Sequence, residues 1–578
     1  MRTSIKSFIV NPVIDKFKSV MRYQGKLVAF LLILAFIFWL QTIASTQITQ
    51  FPPDPFYYAK RLPASYWAGI SLLIIILPLM LYRRINVNKT LIEVSFVLVL
   101  TMYLFGTTCF IYDNPRFLDV YGVVERINII NTQSQLTGDS GYLNQYPLVT
   151  VFLSALSQIA GMKPYIMAQY YPIFTSFALL LLIYALARKV IPEYALIAPS
   201  AYASLAWSQS YHMGAQNYAL VITVPIIILL LLLNKSSSSG GRVGIASLVI
   251  VLWGVTIISH ATTPLINLFT LLSLFVVYIL LTHLPKIKQI YPLGSVSVNI
   301  QAIIRFITLF AVAYFAYAFF NSDFVVNRMV LWGKEIINNL LYDDPFIFVG
   351  RNVIKPASSY TLGNNIRMIS IIIALVLGII SSLYLLLNRR YINWSIIFVS
   401  FFVGYMGFSF VLVFGSFATY GAGRGFIFGI IPLSILWAMV VCDGCRFSNR
   451  PPGYDDSHNL KHRALFNRFC PLILTGLIIS FVMVSILIIP VTKYASDPYC
   501  FVSDSEMAGK VFIEKEPALS LAIRYYYYGS DYMYNNYVYN LQELKQQCGD
   551  QYREGFAQNT LNRIYGSGDQ CQIYLPVQ

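Results

Sequence analysis

The sequence predicts an all-α polytopic membrane protein, and three observations carry that prediction. Apolar residues make up 57% of the chain and charged residues only 11%, against about 25% charged in an average soluble protein. The mean hydropathy is +0.62. The apolar runs repeatedly reach the ~20 residues a helix needs to cross a bilayer. Spanning β-strands would be ~10 residues long and alternating, which these runs are not.

About thirteen transmembrane helices follow. They cover residues 27–45, 66–82, 91–112, 168–187, 192–208, 216–233, 243–259, 264–282, 301–320, 366–387, 393–414, 424–441 and 470–490. The basic segment Met1–Lys26 runs into Leu27–Ser45 with no small-residue cleavage site, so this helix is expected to stay. Pro147–Ala160 is too short to cross and reads as interfacial or re-entrant. Residues 492–578 are the one candidate soluble unit, a small mixed α/β C-terminal domain. Ser505–Ile513 and Leu519–Tyr528 look helical, and Arg563–Gly566 with Cys571–Leu575 reads as a β-hairpin around Gly566-Ser567-Gly568. Tyr532, Tyr534, Tyr537 and Tyr539 are amphipathic aromatics suited to the headgroup level.

The net charge of +16 would suggest nucleic acid in a soluble chain. Here it follows the positive-inside rule. With the N-terminus inside, Arg83/Arg84/Lys89, Arg188/Lys189, Lys235/Arg242, Lys286/Lys288, Arg389/Arg390 and the basic 446–468 loop all fall on inner turns. Counting 147–160 as a span would move the later ones outside. Asn88, Asn234 and Asn393, the Asn-X-Ser/Thr sites, also fall inside, as expected if the outer face meets a glycosylating compartment. The expected location is the cell membrane, multi-pass, with the N-terminus cytoplasmic and the C-terminus extracytoplasmic. Segments 113–167, 209–215, 321–365, 415–424 and the tail then share the outer face, and function should sit there.

The seven cysteines make no framework. Cys442 and Cys445 form a lone CxxC with no second pair to complete a zinc site, and read as two reduced thiols. Cys500, Cys548 and Cys571 share the tail, where one disulfide fits an outside location and leaves one thiol over.

The candidate chemistry lies in polar residues at the outer boundary. Asp113 and Asp119 follow the third span. A carboxylate flanked by Phe117 and Tyr121 against a low-dielectric wall has its ionised form disfavoured, which makes it a usable general base. The bland alternative is a solvated acid at a helix end. Glu125 and Arg126 read as a local pair. His260, in Ser259-His260-Ala261-Thr262-Thr263-Pro264, and His212 lie on the same face, and a histidine bonded to backbone is the alternative for His260. Arg424 opens the twelfth span between Gly423 and Gly425, where arginine suits phosphate and plain interfacial anchoring is the alternative. Asp343, Asp344 and Lys355 are weaker candidates. No Gly-rich nucleotide loop, Ser/His/Asp grammar or His/Cys cluster is present in the sequence.

The first outer loop resembles that of GT-C-type membrane glycosyltransferases, which include protein mannosyltransferases and archaeal relatives. The residues that carry the likeness are Pro115, Asp119-Val120-Tyr121, Gly141-Tyr-Leu-Asn-Gln-Tyr-Pro147-Leu148, and a short apolar helix ending at Gly161. Arg188-Lys189, Gln216 before an apolar run, Ser259-His260 before Thr-Thr-Pro, and Arg424 opening a late helix also match. The likeness covers about residues 91–442. The chain departs from the pattern at Val120, where protein mannosyltransferases often carry Glu. It also lacks the Trp-Trp-Asp-Tyr-Gly signature of oligosaccharyltransferases, and two helices precede the family's first.

The resemblance implies a GT-C-like transmembrane domain over 91–491, preceded by an N-terminal segment and two extra helices in 1–90. It implies inverting transfer of a sugar from a polyprenyl-phosphate-sugar donor to a protein or glycan acceptor. Asp119 and Asp113 would be catalytic, and Tyr121, His212, Gln216, His260 and Arg424 would bind substrate. A divalent metal ion is a candidate cofactor, membrane lipids are partners and nucleic acid is not. A transporter or flippase of lipid-linked glycans is the alternative, and it would need charges and broken helices near the bilayer midplane.

Overall fold

The structure, a computed structural model, describes residues 25–48, 56–82, 89–117, 119–136, 142–206, 212–233, 238–283, 300–342, 361–388, 391–413, 418–448, 461–492, 561–567 and 571–576. Among these, twelve helices are long and apolar enough to cross a membrane. They are α1 (Gly25–Ser45), α2 (Ala64–Tyr82), α3 (Lys89–Ile111), α6 (Pro164–Val190), α8 (Ala215–Leu233), α9 (Ser239–Ser259), α10 (Thr262–His283), α11 (Ile300–Asn321), α13 (Thr361–Leu387), α14 (Ile392–Val413), α15 (Ala418–Ser448) and α16 (Lys461–Thr492). Four shorter or more polar helices join them: α4 (Asp119–Gln133), α5 (Leu148–Ala160), α7 (Ile197–Leu205) and α12 (Asp323–Tyr342). The protein is an all-α, multi-pass membrane protein with a C-terminal hairpin. That hairpin pairs β1 (Leu561–Ser567) antiparallel with β2 (Cys571–Pro576).

The count corrects the expected thirteen spans. Among the described residues of 192–206 there is no spanning helix but the nine-residue α7, every residue of which is buried. Pro192 stands two residues past the end of α6, turns occupy the residues after it, and regular helix starts only at Ile197. The chain nevertheless passes between the two ends of the bundle here. Glu193 accepts Arg446 at one end, and Met213 packs on α4 at the other.

α15 is the centre. Its whole apolar window is buried, and it packs on α7, α13, α14 and α16. Small residues let these backbones close up, as van der Waals packing between helices in lipid demands. A Cβ on Gly425 would lie 2.0 Å from Ser409 Oγ, and one on Gly444 2.7 Å from the Pro471 carbonyl. Gly425 thus serves the α14–α15 contact.

Contacts distinguish the ends of the bundle. One carries Arg446, Glu193, Lys89, Tyr391 and Asp443, and is called the far end below. Asp443 is fully buried and accepts Tyr384 Oη and Asn388 Nδ2. Cys442 and Cys445 are free thiols here. The other end carries residues 113–167. Asn388, just past α13, lies at the far end, so the bond from Arg367 Nε near the start of α13 to the Thr492 carbonyl puts the end of α16 at the opposite end of the bundle. The remaining tail helices, their tyrosines, Asp343, Asp344 and Lys355 lie outside the described residues.

Candidate functional site

The first loop is built on α3. That helix widens into a π-turn at Met102–Gly106, and Thr107 Oγ1 donates to the Tyr103 carbonyl at 3.0 Å and the Met102 carbonyl at 3.1 Å. Such turns swing the remaining helix around its axis and are common at functional sites. Asp113 follows, partly buried, with Oδ1 accepting Gln47 Nε2 at 2.8 Å. Tyr165 Oη donates to Asn114 Oδ1, and Gln169 Nε2 donates to the Cys109 and Tyr112 carbonyls at 3.0 and 2.8 Å. The start of the loop is therefore fastened to α6.

Phe117 has φ 80, a strained value for a bulky side chain. Arg116 lies over its ring at 4.2 Å and His212 beside it at 5.3 Å. Gly214 makes space for that histidine, because a Cβ there would stand 3.0 Å from its Nε2. Asp119 opens α4, and its side chain is outside the described residues. Two residues on, Tyr121 is buried and its Oη donates to the Pro115 carbonyl at 3.1 Å. Gln216 is half-buried in the first turn of α8. The structure thus brings His212, Phe117 and the start of α4 together.

α4 and α5 form one unit. Asn131 Oδ1 accepts Ser154 Oγ at 2.6 Å and Gln158 Nε2 at 3.0 Å. Thr150, Ser154 and Ser157 are buried, while Val151, Phe152, Leu156 and Ile159 face outward. The buried side mixes Val149 and Leu153 with these hydroxyls, and a largely apolar outward side suits a lipid-facing position.

A second group forms where α9 meets α10. His260 is 2% exposed. Its Nδ1 lies 2.8 Å from Thr263 Oγ1 and 3.3 Å from Thr262 Oγ1, and accepts the Thr263 backbone N–H at 3.2 Å. Arg424 Nη1 donates to Thr262 Oγ1 at 3.4 Å. Burial, then the Arg424 charge, holds His260 well below the usual histidine range, so it is neutral at pH 7.

The first loop touches this group through Tyr146. It packs with Ala261 and Val325, and burial pushes its phenol up to about 12. Tyr314 Oη donates to the Ala261 carbonyl at 2.9 Å. Gln145 accepts Tyr317 Oη on its carbonyl at 2.6 Å and Ser322 Oγ on Oε1 at 2.7 Å. The sequence reading gave Gln145 and Tyr146 no role beyond the likeness of the first loop, and it missed α12. Val325, Met329, Ile336 and Leu340 at helical spacing were the available signal for α12.

Among the described residues no three His, Cys, Asp or Glu side chains could hold an ion, and Asp113 already accepts Gln47. A scan against known protein families and a search among curated proteins return no match.

Proposed function

We propose that this chain is a glycosyltransferase that takes a sugar from a polyprenyl-phosphate donor and passes it to a protein or glycan acceptor at the loop end of the bundle. The observation that carries the reading is the meeting of Arg424, Thr262 and His260 beside Tyr146 of the first loop. A cation and polar hydrogens sit together at a bundle end, where a lipid phosphate would arrive. The resemblance of residues 91–442 to GT-C enzymes supports the same reading, as does the apolar outward face of α5.

In this scheme Asp119 accepts the proton of the acceptor hydroxyl. The acceptor oxygen attacks the anomeric carbon, and the bond from that carbon to the phosphate oxygen breaks with its electron pair going to the phosphate. Arg424 stabilises the charge that develops there. The loop end would face outward, with the C-terminus extracytoplasmic. A transporter is less well supported, because Glu93 and Asp443 gather toward the far end and are held by Tyr184 and by Tyr384 and Asn388.

The test is transfer by the purified full chain from a panel of polyprenyl-phosphoryl hexoses. Arg424→Lys keeps the charge and loses the two-pronged geometry, so the donor KM should rise. Equal KM in the two proteins would remove Arg424 from the donor site.

A further inference from the structure

α1 and α2 precede the part of the chain that builds the site, and they send three hydrogen bonds to one place, the π-turn of α3. Tyr103 Oη, inside the turn, donates to the Ala35 carbonyl of α1 at 2.7 Å. Tyr66 Oη of α2 donates to the Tyr103 carbonyl at 3.2 Å. Trp39 Nε1 of α1 donates to Thr107 Oγ1 at 3.2 Å. These residues are all buried. Gly69 of α2 leaves the room that the Tyr103 phenol fills, because a Cβ there would collide with its Oη.

A second set of contacts lies where α3 ends. The Ile48 N–H donates to the Ile111 carbonyl at 2.8 Å, and Gln47 Nε2 to Asp113 Oδ1 at 2.8 Å. The Trp39 ring meets Phe110 edge-on at 5.3 Å, and Tyr58 meets Tyr112 in the same way at 6.1 Å. α6 holds the same stretch through Gln169, and through Tyr170, whose ring lies 5.3 Å from Phe110. A π-turn adds one residue to a helix. Without it the chain beyond would turn by about 100° and shift by about 1.5 Å. Thr107 and the Ile111 carbonyl would then leave α1 and its extension, and the Cys109 and Tyr112 carbonyls would leave Gln169. Both sets of partners are met together at one rotation of α3.

We infer that α1 and α2 are a brace that fixes the rotation of α3 at its π-turn, and that Trp39, Tyr66 and Gln47 are positioning residues for the first loop. They act through Thr107, Tyr103 and Asp113, and so set where Asp113 and the start of α4 come to lie. The brace stands on the hydrogen bonds alone; its effect on sugar transfer rests on the glycosyltransferase reading.

Amide hydrogen exchange of the purified full chain reads the brace without a substrate. Peptides covering 107–117 report the start of the loop, and peptides covering 424–441 of α15 report the rest of the bundle. Trp39→Phe removes the indole N–H and keeps a ring. Tyr103→Phe removes only the hydroxyl. Gln47→Glu keeps the shape and sets a carboxylate opposite Asp113. Gln47→Glu combined with Asp113→Asn restores one donor and one acceptor with their roles exchanged.

We expect exchange in 107–117 to quicken roughly three- to tenfold in each single variant, the size of one lost hydrogen bond, with 424–441 unchanged. The double variant should return 107–117 to within about twofold of wild type. Trp39→Phe should transfer sugar from a polyprenyl-phosphoryl hexose with kcat lowered roughly threefold or more and the donor KM unchanged, because the loop is misplaced and not lost. Wild-type exchange in all three single variants, or an equal rise in 424–441, would overturn the brace. No recovery in the double variant would overturn the role of Gln47. Faster exchange with wild-type kcat would overturn the positioning of the loop for transfer. The expected exchange pattern in a chain that transfers no sugar would support the brace and overturn the glycosyltransferase reading alone.

Discussion

Gly404→Ala should unfold the protein more easily, and Gly407→Ala on the same helix should not. Both glycines lie in α14. A Cβ on Gly404 would meet Thr270 Cα at 2.9 Å, Ser273 Cβ at 3.0 Å and the Phe269 carbonyl at 3.3 Å, all on α10. Two of those atoms are backbone and cannot rotate away, so α10 and α14 must separate by several tenths of an ångström. Overpacking of this kind costs about 1–3 kcal/mol. A Cβ on Gly407 meets nothing within 4 Å, and alanine there gains about 0.5–1 kcal/mol of helix preference. The two single-methyl variants should thus lie on opposite sides of wild type and differ by roughly 1.5–4 kcal/mol. Equilibrium unfolding with SDS in mixed micelles, followed by tryptophan fluorescence, measures the difference. Equal midpoints would refute the close α10–α14 contact. They would also refute the rigid placement of His260 and Thr263, which lead into α10.

His260 gives a pH prediction. Its folded value lies below the ordinary 6.5, so the unfolded chain binds more protons and stability rises with pH in that window. Its contribution is complete above pH 6.5 and is lost as pH falls through the folded value, at no more than about 1.4 kcal/mol per unit. Unfolding midpoints between pH 5 and 8 should show this acid limb in wild type and a shallower one in His260→Asn. Tyr384→Phe removes a donor to the buried Asp443 and should cost about 1–3 kcal/mol of stability without changing transfer per folded molecule; a selective loss of kcat would give the far end a catalytic role. Single cysteines introduced near Ser140 and Gly566 should react with an impermeant thiol reagent on intact cells, and one near Ser237 should not. The reverse pattern would move the proposed site to the other side of the membrane.

Much of the scaffold was legible because hydropathy acts over whole helices. Each run of apolar residues that became α1, α2 or α16 had to be long to cross lipid, and length is visible in sequence. The amphipathic α4 and the short apolar α5 were legible for the same reason, one by its period and the other by its brevity. Residues 192–208 misled because they are apolar enough to span. The two prolines at 192 and 199 and the run of Ala and Ser instead give a short helix buried on all sides. α12 was missed because its polar residues made a loop plausible, while its Val325 and Met329 pack on the neighbours of Tyr146. The close fit of Ser409 against Gly425 joins two separate helices and shows in no local pattern. The strained Phe117 and the Gln145 bonds depend on tertiary contacts across 95 to 177 positions, beyond the reach of any local pattern.

The most direct test of the central claim is sugar transfer by Asp119→Asn. The substitution is nearly isosteric and cannot accept a proton. Purified wild-type and variant chains are given a polyprenyl-phosphoryl hexose and acceptor, and the labelled product is counted after both proteins have been shown to unfold at the same SDS midpoint. The account predicts product from wild type and a loss of ~10²-fold or more in the variant, the range a general base contributes. Transfer at the wild-type rate by Asp119→Asn would contradict it.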